Sequence, residues 1–185
     1  ALGIAQQTGQ TVVLICTSGT ALLNYSPAVA EAYYQGVPLL VISADRPAEW
    51  IDQDDSQTIR QQGALCNFVK KSFQLPTAIT CEEDHWYTNR LVNEAINLSQ
   101  RDRKGPVHIN IPLREPLYGF QHESVTPERV IKTLQESPSL TVEISQSLRE
   151  EFFLCPKVMI IAGFHEPNPF LQQHIKLLAS LPNVV

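Results

Sequence analysis

Residues Thr11–Asp45 read TVVLICTSGTALLNYSPAVAEAYYQGVPLLVISAD, and this run decides the fold class. Its two ends, TVVLICTS and PLLVISAD, are short, rich in β-branched residues and bounded by Gly or Pro, which is the pattern of strands. Their near-continuous apolarity suits parallel strands buried on both faces. Between them Ser26 is placed to cap a helix with Pro27 at its first position. AVAEAYYQ then runs to Gly36, the residue type that follows a helix C-terminus. Strand, helix, strand is the unit of a parallel sheet with its crossovers packed on the faces.

The same alternation continues on both sides. ALGIAQQTGQ, residues 1–10, reads as the end of a helix capped by Gly9. It has no basic start of the signal-peptide kind, so the chain is expected to be a piece of a longer protein. KKSFQLP (Lys70–Pro76) reads as a short strand. In TCEEDHWYTNRLVNEAINLSQ, Thr80 with Glu83 three residues on predicts a capping box, and Trp86, Leu91, Ala95 and Leu98 predict the face toward a sheet. Arg101, Arg103 and Lys104 close that helix before Gly105, where positive charge complements the dipole. VHINIPL (Val107–Leu113) is a further strand, and the whole is a doubly wound α/β layer with a parallel sheet. After Tyr118 the composition becomes polar and proline-containing, a linker with one short helical turn at most. Then EISQSLREEFFLC reads as a helix, KVMIIAGF (Lys157–Phe164) as a strand and PNPFLQQHIKLLASLP as a helix. The expected division is residues 1–118, a linker over 119–139, and the start of a second α/β domain over 140–185.

Composition excludes several function classes. Of the 185 residues 43% are hydrophobic and 18% charged, ordinary for a globular domain, and the formal net charge is −5 with 14 scattered basic residues. No basic stripe exists to neutralise a phosphate backbone, so nucleic acid is not an expected partner. No apolar run reaches the length that crosses a bilayer, so no membrane is expected either. The four cysteines, Cys16, Cys66, Cys81 and Cys155, form no CxxC pair and read as reduced core residues of a cytoplasmic protein.

In an open parallel sheet, ligands bind at the carboxyl ends of the strands. Thr17-Ser18-Gly19-Thr20-Ala21 follows the first strand, with Gly19 free to bring backbone close to a ligand and hydroxyls on either side. SADRPAEWIDQDDSQTIRQQG follows the second strand and falls on the same edge. Pro47 favours an extended Arg46 that projects from the strand end. Two arginines, Arg46 and Arg60, with Gln57 between them suggest a site for a carboxylate. CEEDHW has metal-ligand residue types, but acids in a first helical turn account for it. Asp52, Asp54 and Asp55 read as a solvated loop capping a helix at Ser56, His108 as a satisfied core or edge histidine, and His165 and His174 follow no ligand spacing.

TSGTA, ADRP, DSQTIRQQG and VHINIPLREPLYG, in this order, resemble the N-terminal pyrimidine-binding domain of thiamine-diphosphate-dependent enzymes. Within that superfamily they resemble the menaquinone-pathway branch that makes 2-succinyl-5-enolpyruvyl-6-hydroxy-3-cyclohexene-1-carboxylate. The resemblance runs to about Phe120, and the remainder fits the start of the family's central domain. It implies a flavodoxin-like layer, thiamine diphosphate with Mg2+ or Mn2+ as cofactors, and 2-oxoglutarate and isochorismate as small-molecule substrates. It also implies a homodimer or homotetramer in the cytoplasm. The family decarboxylates 2-oxoglutarate and adds the succinyl carbanion equivalent to isochorismate.

Carried over by the resemblance, Arg46 matches a substrate-pocket arginine and Gln57 a glutamine beside the cofactor and the reacting carbonyl. Ser56 stands where the family usually has Asn and is expected on the substrate side, together with Arg60 from the two-arginine reading. Thr17, Ser18, Gly19, Thr20 and Asn24 approach the aminopyrimidine. The family's activating glutamate, in a Glu-Arg-Ser segment, and its Gly-Asp-Gly metal motif are not among the 185 residues, so these residues alone are expected to be inactive. The alternatives are another 2-oxoacid enzyme of the superfamily, such as an acetohydroxyacid synthase, and a non-catalytic α/β binding module. Ser-Gly-Thr-Ala in place of Ser-Gly-Pro-Gly argues against the former.

Overall fold

The structure is a computed structural model that describes residues 1–115, 127–134, 139–163, 165 and 167–185. Four parallel strands form one sheet: β1 (Val12–Cys16), β2 (Leu39–Asp45), β3 (Ser72–Gln74) and β4 (Val107–Pro112), ordered β1-β2-β4-β3. Helix α1 (Leu2–Thr8) precedes β1, α2 (Thr20–Leu23) and α3 (Ser26–Gln35) join β1 to β2, and α4 (Glu82–Gln100) joins β3 to β4, while β2 reaches β3 through a long loop with two short 3-10 turns. On one face Leu40, Phe73, Val107 and Ile109 pack against Leu91 and Ala95 of α4. On the other, Leu39 and Val41 pack against Ala5 of α1 and Val29 and Ala32 of α3. Each fully buried Val, Leu, Ile or Phe side chain among them contributes about 1.5–3 kcal/mol, each alanine less. Helices on both faces make this the expected α/β layer, and Gly9 and Gly36 end α1 and α3 in the left-handed region at φ 64 and 69.

Some local expectations are corrected. β1 lies at the edge of the sheet, and its Val13 and Ile15 are exposed, so its continuous apolarity does not mean burial on both faces. Ser26 is the first residue of α3 rather than its cap; Tyr25 holds that place without capping the helix by its side chain, since its hydroxyl donates to the Ile15 carbonyl at 3.1 Å instead. Trp86 is exposed because five residues separate it from Leu91, which turns it away from the Leu91–Ala95–Ser99 stripe that α4 buries. α4 opens without the Thr80–Glu83 box. Cys81 is its cap, and Asp84 reaches back to accept from the Thr80 N–H (2.9 Å) and hydroxyl (2.7 Å). Those bonds hold the Asp84 carboxyl below its ordinary value. The four cysteines are free, but none is buried, and Cys66 and Cys81 are exposed.

The far end of α4 is also capped from elsewhere. No basic residue occupies its last turn; Lys70 Nζ donates to the carbonyls of Leu98 (2.6 Å), Arg101 (2.6 Å) and Arg103 (2.9 Å). Arg103 instead donates to the Tyr34 carbonyl of α3, and Lys104 to the Gly9 carbonyl after α1. Cations thus meet helix C-terminal carbonyls at one edge of the sheet, as the helix dipole favours. The opposite edge, where the strands end, is left to the loops.

The chain divides into two compact units, Ala1–Gln135 and Glu136–Val185, a division inside the expected linker 119–139. The Tyr118–Gly119 boundary and part of that linker lie outside the described residues. Residues 127–134 form no helical turn; they are tied to α4 by hydrogen bonds. Asn89 and Asn93 donate to the Arg129 carbonyl (both 3.1 Å), Asn93 accepts from the Ile131 N–H (2.8 Å), and Asn97 donates to the Ile131 carbonyl (2.8 Å).

The second unit carries the two expected helices, α5 (Val142–Leu154), capped by Thr141, and α6 (Pro169–Ala179), capped by Asn168. The strand expected over Lys157–Phe164 is reduced to a single parallel bridge between Val158 and Val184, while Met159 and Ile161 are exposed. Among the described residues no further strand pairs with it, and a lone run without ladder partners cannot satisfy its backbone as a sheet. Phe164 lies outside the described residues.

Candidate active site at the carboxyl edge of the sheet

β1 ends in the turn Thr17–Thr20, and there Gly19 adopts φ 81. A Cβ on Gly19 would fall 2.9 Å from the Gln57 carbonyl oxygen, so glycine is required for two loops to touch. Sequence reasoning assigned this glycine to close approach of a ligand; the structure fills that space with protein backbone. The Gly19 N–H is not free either, since it donates to Gln61 Oε1 at 2.5 Å. The opposing loop is strained. Asp52, Asp54 and Gln57 all stand in the left-handed region, at φ 62, 57 and 54. Asp tolerates that conformation through local hydrogen bonds, whereas glutamine bears about 1 kcal/mol or more for it. No helix begins at Ser56, whose N–H instead bonds to Asp55 Oδ1.

The two loops enclose a cleft of about 370 Å³, within the range of small-ligand sites. Thr17, Ser18, Gly19, Thr20, Asn24 and Gln57 line it, joined by Ala21, Asp55, Thr58 and Ile59. Arg46 lies in a neighbouring cleft of about 380 Å³ with Trp50, Leu113, Arg114 and Glu115, and Asp55 borders both. Arg46 is half-buried. Its Nε is buried and stands 3.0 Å from Asp55 Oδ2 without the alignment of a hydrogen bond, and its Nη1 lies 3.9 Å from Glu115 Oε1, so both acids meet the guanidinium as charge contacts. Asp45 does not pair with the guanidinium; its Oδ1 accepts the Arg46 backbone N–H. Arg114 pairs with Glu49, and hydrogen bonding, first to backbone and then to Arg114, lowers the Glu49 pKa.

Beneath the clefts runs a buried polar network. Ser43 Oγ donates to Asn110 Oδ1 (2.7 Å) and lies 2.8 Å from His108 Nε2, while His108 Nδ1 lies 2.9 Å from Ser72 Oγ. Asn110 Nδ2 donates to Asp45 Oδ2 (2.6 Å) and Gln74 Oε1 (2.9 Å), and Gln61 Nε2 donates to Asn110 Oδ1 (3.0 Å). Burial lowers the His108 pKa from 6.5 to about 4, so the ring is neutral.

Of the residues singled out from sequence, the turn residues and Gln57 meet in one cleft and Arg46 stands next to it. Ser56 and Arg60 line neither; Arg60 is exposed and bonds to Asp52 at 2.8 Å. Gln61, Asn110 and Ser43 were missed. For the last two a signal existed: Ser43 and Asn110 are polar residues inside apolar strands and are register partners. Gln61 offered none, because a glutamine in the polar run RQQG looks solvated.

Residues 1–65 match the family described as thiamine pyrophosphate enzyme, N-terminal TPP binding domain. The chain is 46% identical over 185 residues to the 2-succinyl-5-enolpyruvyl-6-hydroxy-3-cyclohexene-1-carboxylate synthase of Porphyromonas gingivalis, covering 100% of the chain and 32% of that protein. To the synthase of the same name from Bacteroides thetaiotaomicron it is 50% identical over 179 residues, covering 96% of the chain and 32% of the relative. To that of Bacteroides fragilis it is 56% identical over 135 residues, covering 73% and 24%. The chain therefore spans about a third of the length of the curated relatives it matches. With this sheet and these motifs, the chain carries at residues 1–65 a match to the N-terminal TPP binding domain of thiamine pyrophosphate enzymes and is similar along its length to 2-succinyl-5-enolpyruvyl-6-hydroxy-3-cyclohexene-1-carboxylate synthases.

Proposed function

We propose that the protein carrying this chain is a thiamine-diphosphate-dependent transferase of menaquinone biosynthesis. It transfers the succinyl unit left by decarboxylating 2-oxoglutarate to isochorismate, giving 2-succinyl-5-enolpyruvyl-6-hydroxy-3-cyclohexene-1-carboxylate. The observation that carries this reading is the meeting of the Thr17–Thr20 turn with Gln57 in one cleft, with Arg46 in the next, in a chain so similar to synthases of that name.

The lining fits one part of the cofactor and not the other. Hydroxyls and amides of Thr17, Ser18, Thr20, Asn24 and Gln57, with Ala21 and Ile59 beside them, suit a flat neutral ring that both donates and accepts hydrogen bonds. No Lys or Arg lines that cleft, so it does not suit a diphosphate. Thiamine diphosphate, when bound, supplies the stabilisation of the negative charge that departing CO2 leaves on carbon. The chain's own residues bind and orient. Arg46 offers forked donors to a substrate carboxylate, and Asp55 must share it. Gln57 presents an exposed neutral amide at the cleft that can steady a reacting oxygen. Among the described residues no group of three or more His, Cys, Asp or Glu could hold a metal ion, and the Mg2+ or Mn2+ in this proposal rests on the resemblance. So do the homo-oligomer and the cytoplasmic location; no helix among the described residues is long and apolar enough to cross a membrane.

The test is an assay of the full-length protein with both substrates. CO2 release and product formation should require 2-oxoglutarate, isochorismate and thiamine diphosphate together. Ready consumption of pyruvate with indifference to isochorismate would overturn the proposal.

A further inference from the structure

The residues that line the cofactor-side cleft are poorly held by themselves. Thr17, Thr20, Asn24 and Gln57 are all exposed, and Gln57 sits in a strained conformation. Something must fix the distance between the two loops, and one side chain is built to do so. Gln61 is 1% exposed and uses both its donors and an acceptor. Its Oε1 accepts from the Gly19 N–H at 2.5 Å, and its Nε2 donates to the Ala44 carbonyl at 2.8 Å and to Asn110 Oδ1 at 3.0 Å. A single amide four residues after Gln57 thereby joins the turn after β1, the end of β2 and the end of β4.

We propose that Gln61 is the positioning residue of the site: it clamps the Gly19 amide to the ends of β2 and β4 and so fixes the Thr17–Thr20 turn against the Gln57 turn. The proposal rests on the functional reading above for what the clamped cleft binds. Gln61 itself touches no ligand. It acts through Gly19, whose position against the Gln57 carbonyl leaves no room for slack. Without the clamp the turn would keep its sequence and lose its place, and a ring bound between the loops would meet donors at the wrong distance.

The experiment uses the full-length protein and the variant Gln61→Met, which keeps length and volume and removes all three hydrogen bonds, with exposed Gln62→Met as control. Hydrogen exchange should quicken at least about tenfold in peptides covering 17–23 and stay unaltered in α4, while the thiamine diphosphate Kd rises at least about tenfold. In a Gly19→Ala background, where the clamp's target is already displaced, Gln61→Met should add less than about twofold to that Kd. Additive effects, or faster exchange spread evenly over the sheet, would reduce Gln61 to a core-filling amide. If Gln61→Met does not fold, Gln61→Glu decides. It keeps an acceptor for Gly19 but no donors, so exchange should quicken at the ends of β2 and β4 while 17–23 stays protected; exposure of the turn first would contradict the clamp. A wild-type protein that ignored thiamine diphosphate would sink the functional reading, and the exchange pattern would still judge Gln61.

Discussion

Gln57 stands at φ 54 in a loop whose neighbours in that conformation are aspartates, and its side chain is exposed at the cleft. Strain at an exposed residue points to a role for its side chain in the proposed site. Gln57→Ala in the full-length protein should therefore lower kcat about tenfold or more, with a smaller effect on KM and an unaltered Tm, since an amide that steadies a reacting group acts chiefly in the transition state. Parallel losses in Tm and kcat would speak for scaffolding instead. His108 is the opposite case, buried between two serines and kept neutral at a pKa lowered from 6.5 to about 4. Its folded pKa lies below its unfolded one, so between these values the unfolded chain binds the extra proton. The stability it allows is complete above pH 6.5, falls as pH drops toward 4 by up to about 3 kcal/mol, and changes no further below. Urea denaturation across that window should show this slope in the wild type, and His108→Gln should flatten it. The sequence made both residues visible, Gln57 through its motif and His108 through its place in an apolar strand. Neither the strain nor the clamp under it was legible, because positive φ at a glutamine and a long-range amide bridge leave no local pattern.

At the scale of elements, the four strands and helices α1, α3 and α4 were legible because their apolar residues repeat at the periods that burial imposes, whereas the single turn of α2 is too short to show a period. What escaped was how the elements end. α4 is capped by Asp84 reaching backward and by Lys70 from a distant loop, and both depend on tertiary approach. Its second stripe was also passed over. Asn89, Asn93 and Asn97 recur every four residues and bind the segment around Arg129–Ile131, which composition alone presented as a free linker. Asn93 supplies two of those bonds. Asn93→Ala should cost about 1–2 kcal/mol and remove the exchange protection of the Ile131 amide while β2 and β4 keep theirs. Unaltered protection at Ile131 would mean the segment is held by other contacts. The strand expected over Lys157–Phe164 failed for a related reason: a strand is a property of its partners, and Val184 offers only one bridge.

For the whole molecule, the 185 residues contain neither a Glu-Arg-Ser nor a Gly-Asp-Gly segment, and on the proposed function they supply one wall of a site. Expressed alone, they should show no thiamine-dependent release of CO2 from 2-oxoglutarate. Turnover by the isolated chain would mean that its own clefts suffice. The central claim is that the carboxyl edge of the sheet is a site for a carboxylate substrate beside the cofactor, and Arg46 tests it. It has a competing explanation in the structure itself, since Asp55 lies 3.0 Å from its Nε and would make it a local ion-pair partner. The most direct measurement is steady-state kinetics of Arg46→Ala in the full-length protein, with 2-oxoglutarate and isochorismate both varied and a thermal melt alongside. A lost charge-assisted contact is worth about 1.5–3 kcal/mol, so the KM for one of the two substrates should rise at least about tenfold while Tm barely moves. A lower Tm with both KM values unaltered would contradict the account and leave Arg46 as part of the scaffold.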